Sequence, residues 1–277
     1  MTTTTPIAAT LAPTTPVAAR PRAGLVTSTL VVAKRTLLHF MRTPQLLVVA
    51  TVQGAMFLLI FRYVFGGAIS GLAGVSYVNF LVPGYVVTGV LFSGMGAAAG
   101  VAEDLQQGVI DRLRSLPIPR FAVAGGRALA ETALVVWGAA ITTAIGFAVG
   151  FRPAGTPAGN VFAFVLVVVF GFSFTWMFML IGLVAGSAQA AQGMSLLVFP
   201  LTFVSSAYVP VATMPGWMQP IARHQPITAM VDAVRGWVLD DPVASLGHST
   251  WYLTARALLW SAVLVAVFAP LAVARYR

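Results

Sequence analysis

A chain of 277 residues that is 58% hydrophobic and 8% charged is too poor in polar side chains to clothe a soluble globule, where charged residues average about 25%. Its net charge of +9 would suggest nucleic acid in a soluble protein, but in an integral membrane protein it reads as arginine collecting on one side of the bilayer, and no nucleic-acid partner is expected. The lack of cysteine excludes disulfides, thiolate metal sites and a cysteine nucleophile.

At about 20 residues per span plus connections, the length predicts an all-α integral membrane protein with six transmembrane helices. Residues 1–24 are rich in Thr, Pro and Ala, carry no charge before Arg20, and read as a disordered tail rather than a signal peptide, which would begin basic. From 25 to 43 the pattern turns helical. Leu30, Ala33, Leu37, Phe40 and Met41 share one face, and Lys34, Arg35 and Arg42 lie to the other. Such a helix can lie in the membrane interface or simply extend the next one, although Pro44 punctuates it at Thr43. Residues 45–65 are apolar enough to span, with Arg62 near the far end where it can snorkel. A glycine-rich loop at 66–76 leads to a second span, 77–101, which contains Pro83.

A charged island follows. Glu103, Asp104, Asp111, Arg112, Arg114, Arg120 and Arg127 would together cost roughly 20 kcal/mol at the centre of a bilayer, at about 3 kcal/mol each. Residues 103–120 are therefore expected outside the hydrocarbon. Leu105, Val109, Leu113 and Leu116 recur as an apolar stripe, with Asp104, Gln107, Asp111 and Arg114 opposite. Gly108 costs about 1 kcal/mol relative to Ala within a helix, so it marks a break between the membrane helix and a short second one, which Pro117 and Pro119 stop. Two readings stay open. The short helix can dock in a groove on another protein, or it can be a solvated loop whose stripe rests on lipid.

The third span is expected at 128–150, where Arg127 and Glu131 can pair at i,i+4. A loop with Arg152 leads to a fourth span at 161–186, a polar turn at 187–193, and a fifth span ending near Tyr208 or Pro210. Pro210, Pro215, Pro220 and Pro226 then forbid a long helix, and Trp217 between them favours the membrane–water interface. A short helix over 228–239 carries Asp232 and Arg235 at i,i+3, a polar loop covers 240–249, and the sixth span occupies 251–273.

Six spans put both termini and the island on one face. That face holds eleven of the sixteen basic residues, so it is cytoplasmic by the positive-inside rule, in the plasma membrane. The only lysine, Lys34, follows no glycine-rich turn, which excludes a P-loop ATPase. His39, His224 and His248 are scattered and make no metal motif. Charges within spans are too sparse for ion-coupled transport. Energy then comes from a partner, or the chain is a passive channel or an integral membrane enzyme.

The island, read as Glu103-Asp104, Gly108, then Asp111-Arg112-Leu113-Arg114-Ser115-Leu116-Pro117-Ile118-Pro119-Arg120 and Gly126-Arg127, closely resembles the cytoplasmic signature of ABC transporter permeases of the type-2 family. It is most similar to the drug-exporter branch typified by daunorubicin-resistance permeases. A second stretch matches too: Pro200-Leu201, Ser205-Ser206-Ala207-Tyr208-Val209-Pro210, Met214-Pro215-Gly216-Trp217, Pro226-Ile227-Thr228 and Asp232-Ala233-Val234-Arg235-Gly236. Gln225 departs from the family's usual Asn, which touches only a local turn cap. The likeness runs from about Leu25 to the end.

The resemblance implies a six-span permease domain over 44–277 that pairs with a second permease copy. It implies a separate nucleotide-binding ATPase subunit that carries ATP and Mg, so this chain is not an enzyme by itself and holds no cofactor or metal. That subunit would dock on a coupling helix built from Glu103, Asp104, Gly108, Asp111, Arg112, Leu113, Arg114, Pro117, Pro119 and Arg120. Residues 25–43 would be an interface helix using Lys34, Arg35, Phe40 and Arg42. Residues 210–239 would form an outer gate hairpin with Pro210, Pro215, Trp217, Pro220, Pro226, Asp232 and Arg235. The cargo implied is hydrophobic, drug-like or lipid-like, and a polysaccharide or lipid-linked cargo would fit the same topology.

Overall fold

The computed structural model describes residues 24–41, 52, 54–69, 76–114, 120–239 and 248–275. The tail to residue 23, Arg42, the first half of the expected first span, Pro117, Pro119 and the loop at 240–247 lie outside these. Among the described residues every regular element is helical, as a chain in lipid requires when its backbone must satisfy itself.

Helix α1 is Leu25–Met41. Helix α2, Gly54–Phe65, closes on a π turn at Phe61–Phe65 and runs on as Gly66–Ile69, so the glycine-rich stretch begins helical rather than as loop. Helix α3 is Tyr77–Gln106 and contains Pro83. Gly108 adopts φ +66°, the left-handed region that suits glycine, and separates α3 from α4, Val109–Arg114. Helix α5 is Arg120–Ala148, beginning two turns before the expected third span. Helix α6 is Pro157–Ala185. The Thr156 side chain accepts from the Gly159 N–H at 3.1 Å, Pro157 occupies the first turn, and Gly186 ends the helix at φ +72°, a well-formed start and stop.

Among the described residues four helices, α3, α5, α6 and α11 (Thr250–Arg275), are long and apolar enough to cross a membrane. The expected fifth span is not one regular helix. The residues read as a polar turn form α7, Ala188–Ser195, because Ser187 caps it by accepting from the Ala190 N–H at 3.1 Å. A 3-10 turn at Leu196–Val198 then leads to α8, Phe199–Phe203, with Pro200 in its first turn. These 16 residues rise about 24 Å, short of a hydrocarbon core of about 30 Å. After a 3-10 turn at Val211–Thr213 come α9, Gln219–His224, and α10, Pro226–Val238.

Helices α3 and α6 form the centre. Helices α5 and α7 pack on α3, α11 on α6, and α10 closes one end against α3, α6 and α11. Phe170, Phe178, Leu81, Leu166 and Met230 are fully buried there. Helix α1 packs on α5 through Ser28, Val32 and Thr36. Leu30 and Leu37 point outward, alongside exposed Lys34 and Arg35. That places apolar and basic groups together on the outer face, as an interfacial helix needs.

Candidate functional site

The island and the proline-rich segment fall at opposite ends of α3. At the island end, α3 stops at Gln107, whose Nε2 donates to Glu103 Oε1 at 3.1 Å, and the left-handed Gly108 redirects the chain into α4. Ile110 is buried and belongs to a cluster with Val101, Val123 and Met179. The expected stripe of Leu105, Val109, Leu113 and Leu116 has the spacing of one helix running straight through Gly108. The positive φ resets the helical phase, so Ile110 takes the inner position and Val109 is only half-buried.

Glu103 and Arg112 are exposed. Asp104 instead turns inward to Arg127 of α5, whose guanidinium it shares with Glu131. Asp111, Leu113 and Arg114 stand on α4 and Arg120 opens α5. Phe40 lies on the last turn of α1.

At the other end, Pro83 interrupts the α3 ladder, and Gly84 lets α3 approach the backbone at Ala207 so closely that a Cβ there would collide with the Ala207 carbonyl. Arg235 closes this junction. Its Nε and Nη2 donate to the Phe80 carbonyl at 3.0 and 2.7 Å, Nη1 to the Ser206 carbonyl at 2.7 Å, and Nη2 to the Ala207 carbonyl at 3.0 Å. Its guanidinium also lies 3.5 Å over the Phe80 ring, a cation–π contact.

Asp232 does not pair with Arg235 through hydrogen bonds. It accepts from Ser206 Oγ at 2.8 Å and from Arg256 Nη2 of α11 at 3.1 Å. Burial pushes its carboxyl up, and Arg235, Ser206 and Arg256 oppose that. Gln225 does not cap α10. Its Nε2 reaches back to the Leu201 carbonyl at 3.0 Å and to the Val204 carbonyl, covering the end of α8. Tyr77 donates to the Tyr208 carbonyl at 3.3 Å, and Tyr208 donates to Thr88 Oγ1 at 3.0 Å.

So Asp232 and Arg235, expected on an outer hairpin, are buried fixtures that weld α10 to α3, to the segment after α8 and to α11. Only the tip around Pro215, Trp217 and Pro220 is exposed, with Pro210 and Pro226 half-buried at its base. Irregular backbone at 204–209 thus has side-chain partners, the condition for tolerating it in a membrane protein.

A run of rings crosses the flank of the fold: Phe92 to Phe199 at 5.5 Å, Phe199 to Phe203 at 5.0 Å, Phe203 to Tyr208 at 5.1 Å and Tyr208 to Phe61 at 4.8 Å. Among the described residues no group of three or more acidic, histidine or cysteine side chains could hold a metal. The sequence reading missed Arg256, Ser206 and Gly84 as partners of the hairpin. Asp104 as a partner of Arg127 was likewise invisible, since 23 residues separate the two.

Residues 27–239 match the model of a family described as ABC-2 type transporter. The chain is 35% identical over 278 residues to a daunorubicin resistance ABC transporter permease protein, DrrB1, of Streptomyces coeruleorubidus, covering 99% of this chain and 95% of that one. It is 27% identical over 240 residues to a probable doxorubicin resistance ABC transporter permease protein, DrrC, of Mycobacterium tuberculosis, covering 82% and 83%.

Proposed function

The chain belongs to the ABC-2 type transporter family, and from that membership we propose that it is the transmembrane permease subunit of an ATP-driven exporter of hydrophobic, drug-like or lipid-like compounds. The permease is the component this family contributes, with ATP hydrolysis in a separate subunit. One observation carries the reading. A short helix, α4, is set off from a central membrane helix by a left-handed glycine, anchored from beneath by Ile110, and presents the exposed Arg112. A rigid, anchored projection of this kind transmits force; a free loop would not.

In this account the ATPase subunit docks on α4 from the cytoplasm and holds ATP and Mg. Its closure pushes the coupling segment, and two permease copies open outward between them. Helix α1 lies on the inner leaflet with Lys34 and Arg35 toward lipid headgroups, and both termini are cytoplasmic. The names of the relatives bring planar aromatic drugs to this chain as cargo. The half-exposed rings of Phe92 and Phe203, continued through Phe199, Tyr208 and Phe61, would offer such cargo an aromatic surface.

The test is daunorubicin uptake into inverted membrane vesicles that contain this chain and its copurifying ATP-binding subunit. The expected outcome is ATP-dependent uptake that is lost without either subunit. ATP-independent uptake by this chain alone would favour a passive channel and defeat the reading. Uptake of a lipid-linked sugar in place of daunorubicin would keep the permease and overturn the cargo.

A further inference from the structure

The island end holds a buried ionic arrangement that docking of an ATPase does not itself require. Arg127 is 8% exposed and binds carboxylates on two different helices. Its Nε donates to Glu131 Oε1 at 2.8 Å, one turn along α5, and its Nη1 donates to Asp104 Oδ2 of α3. Gly100 makes room for it: a Cβ there would stand 2.5 Å from Arg127 Nη2.

Asp104 lies one turn before Gly108. The α3 arm of Arg127 therefore grips the chain just before it turns into α4. On the other flank, Gly126 brings α5 against α1, where a Cβ would meet the Thr29 carbonyl at 2.6 Å and Val32 Cβ at 2.7 Å. Displacement of α5 at this level must displace α1 as well.

Apolar contacts are non-directional and name no partner atoms. A buried guanidinium fork has fixed partners, is little screened by salt, and resists separation because either half would be left as an uncompensated charge. The junction of α3 with α5 is thus held in register at the point where α4 departs.

We propose that Arg127 is a positioning residue of energy coupling. Through Asp104 it fastens the stem of the coupling segment to α5, so that movement of α4 passes to α5 and α1 as well as along α3. The proposal rests on the reading of the chain as an ATP-driven permease. Arg127 takes no part in docking and touches no cargo.

The experiment measures daunorubicin moved per ATP hydrolysed in proteoliposomes that contain the permease and its copurifying ATP-binding subunit. Asp104→Asn removes the charge from the α3 arm and leaves at most a neutral hydrogen bond, while Glu131 still neutralises Arg127, so the fold is kept. It is expected to keep the ATP-binding subunit and its hydrolysis while transport per ATP falls about fivefold or more, the scale of a typical coupling between sites. Arg127→Lys keeps the charge but cannot grip two carboxylates with one ammonium, and its ratio should fall between. An unchanged ratio in Asp104→Asn would overturn the proposal, even if yield or melting temperature dropped. Loss of the ATP-binding subunit from Asp104→Asn would also overturn it, by making Asp104 part of the docking face. Absence of ATP-driven transport by the unaltered pair would overturn the transporter reading, and this proposal with it.

Discussion

Arg235 is buried and donates to the carbonyls of Phe80, Ser206 and Ala207, so its main partners are backbone groups of α3 and of the irregular segment that follows α8. Replacing it with Met removes the donors and strands those carbonyls, at about 1–3 kcal/mol for each group left without a partner. The variant should therefore unfold at a clearly lower temperature in detergent, and an unchanged melting midpoint would contradict this account of the junction. Gly84→Ala should be destabilising by about 1–3 kcal/mol, the usual range for overpacking, because its Cβ would collide with the Ala207 carbonyl. Gly89→Ala on the same helix is the control, since nothing lies within 4 Å of a Cβ there. Equal melting behaviour of the two variants would count against the close approach of α3 to the backbone at Ala207. The pairing of Arg127 with Glu131 was legible in the sequence because both stand on one helix at i,i+4. The partners of Arg235 were not, because a side chain that binds backbone carbonyls leaves no spacing pattern in sequence.

Among elements, α4 shows both sides of the same limit. The break at Gly108 was readable, since glycine is costly in a helix and easy at positive φ. Which residue of α4 turns inward was not readable, because the break shifts the helical phase and Ile110 takes the buried position. The expected fifth span reads as a largely apolar run, and composition cannot reveal the 3-10 turn that divides it ahead of Pro200. At this scale the account predicts that Arg112→Glu or Asp111→Lys weakens association with the ATP-binding subunit by about tenfold while insertion in the membrane is unchanged, because an altered charge at an interface opposes its partner without disturbing the fold. Affinity purification from solubilised membranes measures this, and full retention of the subunit by both variants would move the docking surface off α4.

For the whole molecule, the arrangement separates two jobs along α3. One end carries α4, Arg127 and the α1 contact, the parts we propose receive force from the ATP-binding subunit. The other is welded shut by Arg235, Asp232 and Arg256, leaving only the Trp217 tip exposed. Counting arginines leads us to expect the island in the cytoplasm, and among the described residues four of the six expected spans stand as long apolar helices. Because the chain has no cysteine, single thiols report its topology without background. A cysteine at Arg112 should be labelled by an impermeant maleimide only from the cytoplasmic side and one at Trp217 only from outside, and the reverse pattern would invert the molecule.

The same absence of native thiols makes the central claim directly accessible. With cysteine at Arg112 as the permease's sole thiol, a short amine-to-thiol crosslinker in membranes that contain both subunits should yield an adduct of this chain with the ATP-binding subunit, at a yield that changes when ATP is added. An adduct formed from Trp217→Cys and none from Arg112→Cys would contradict the account.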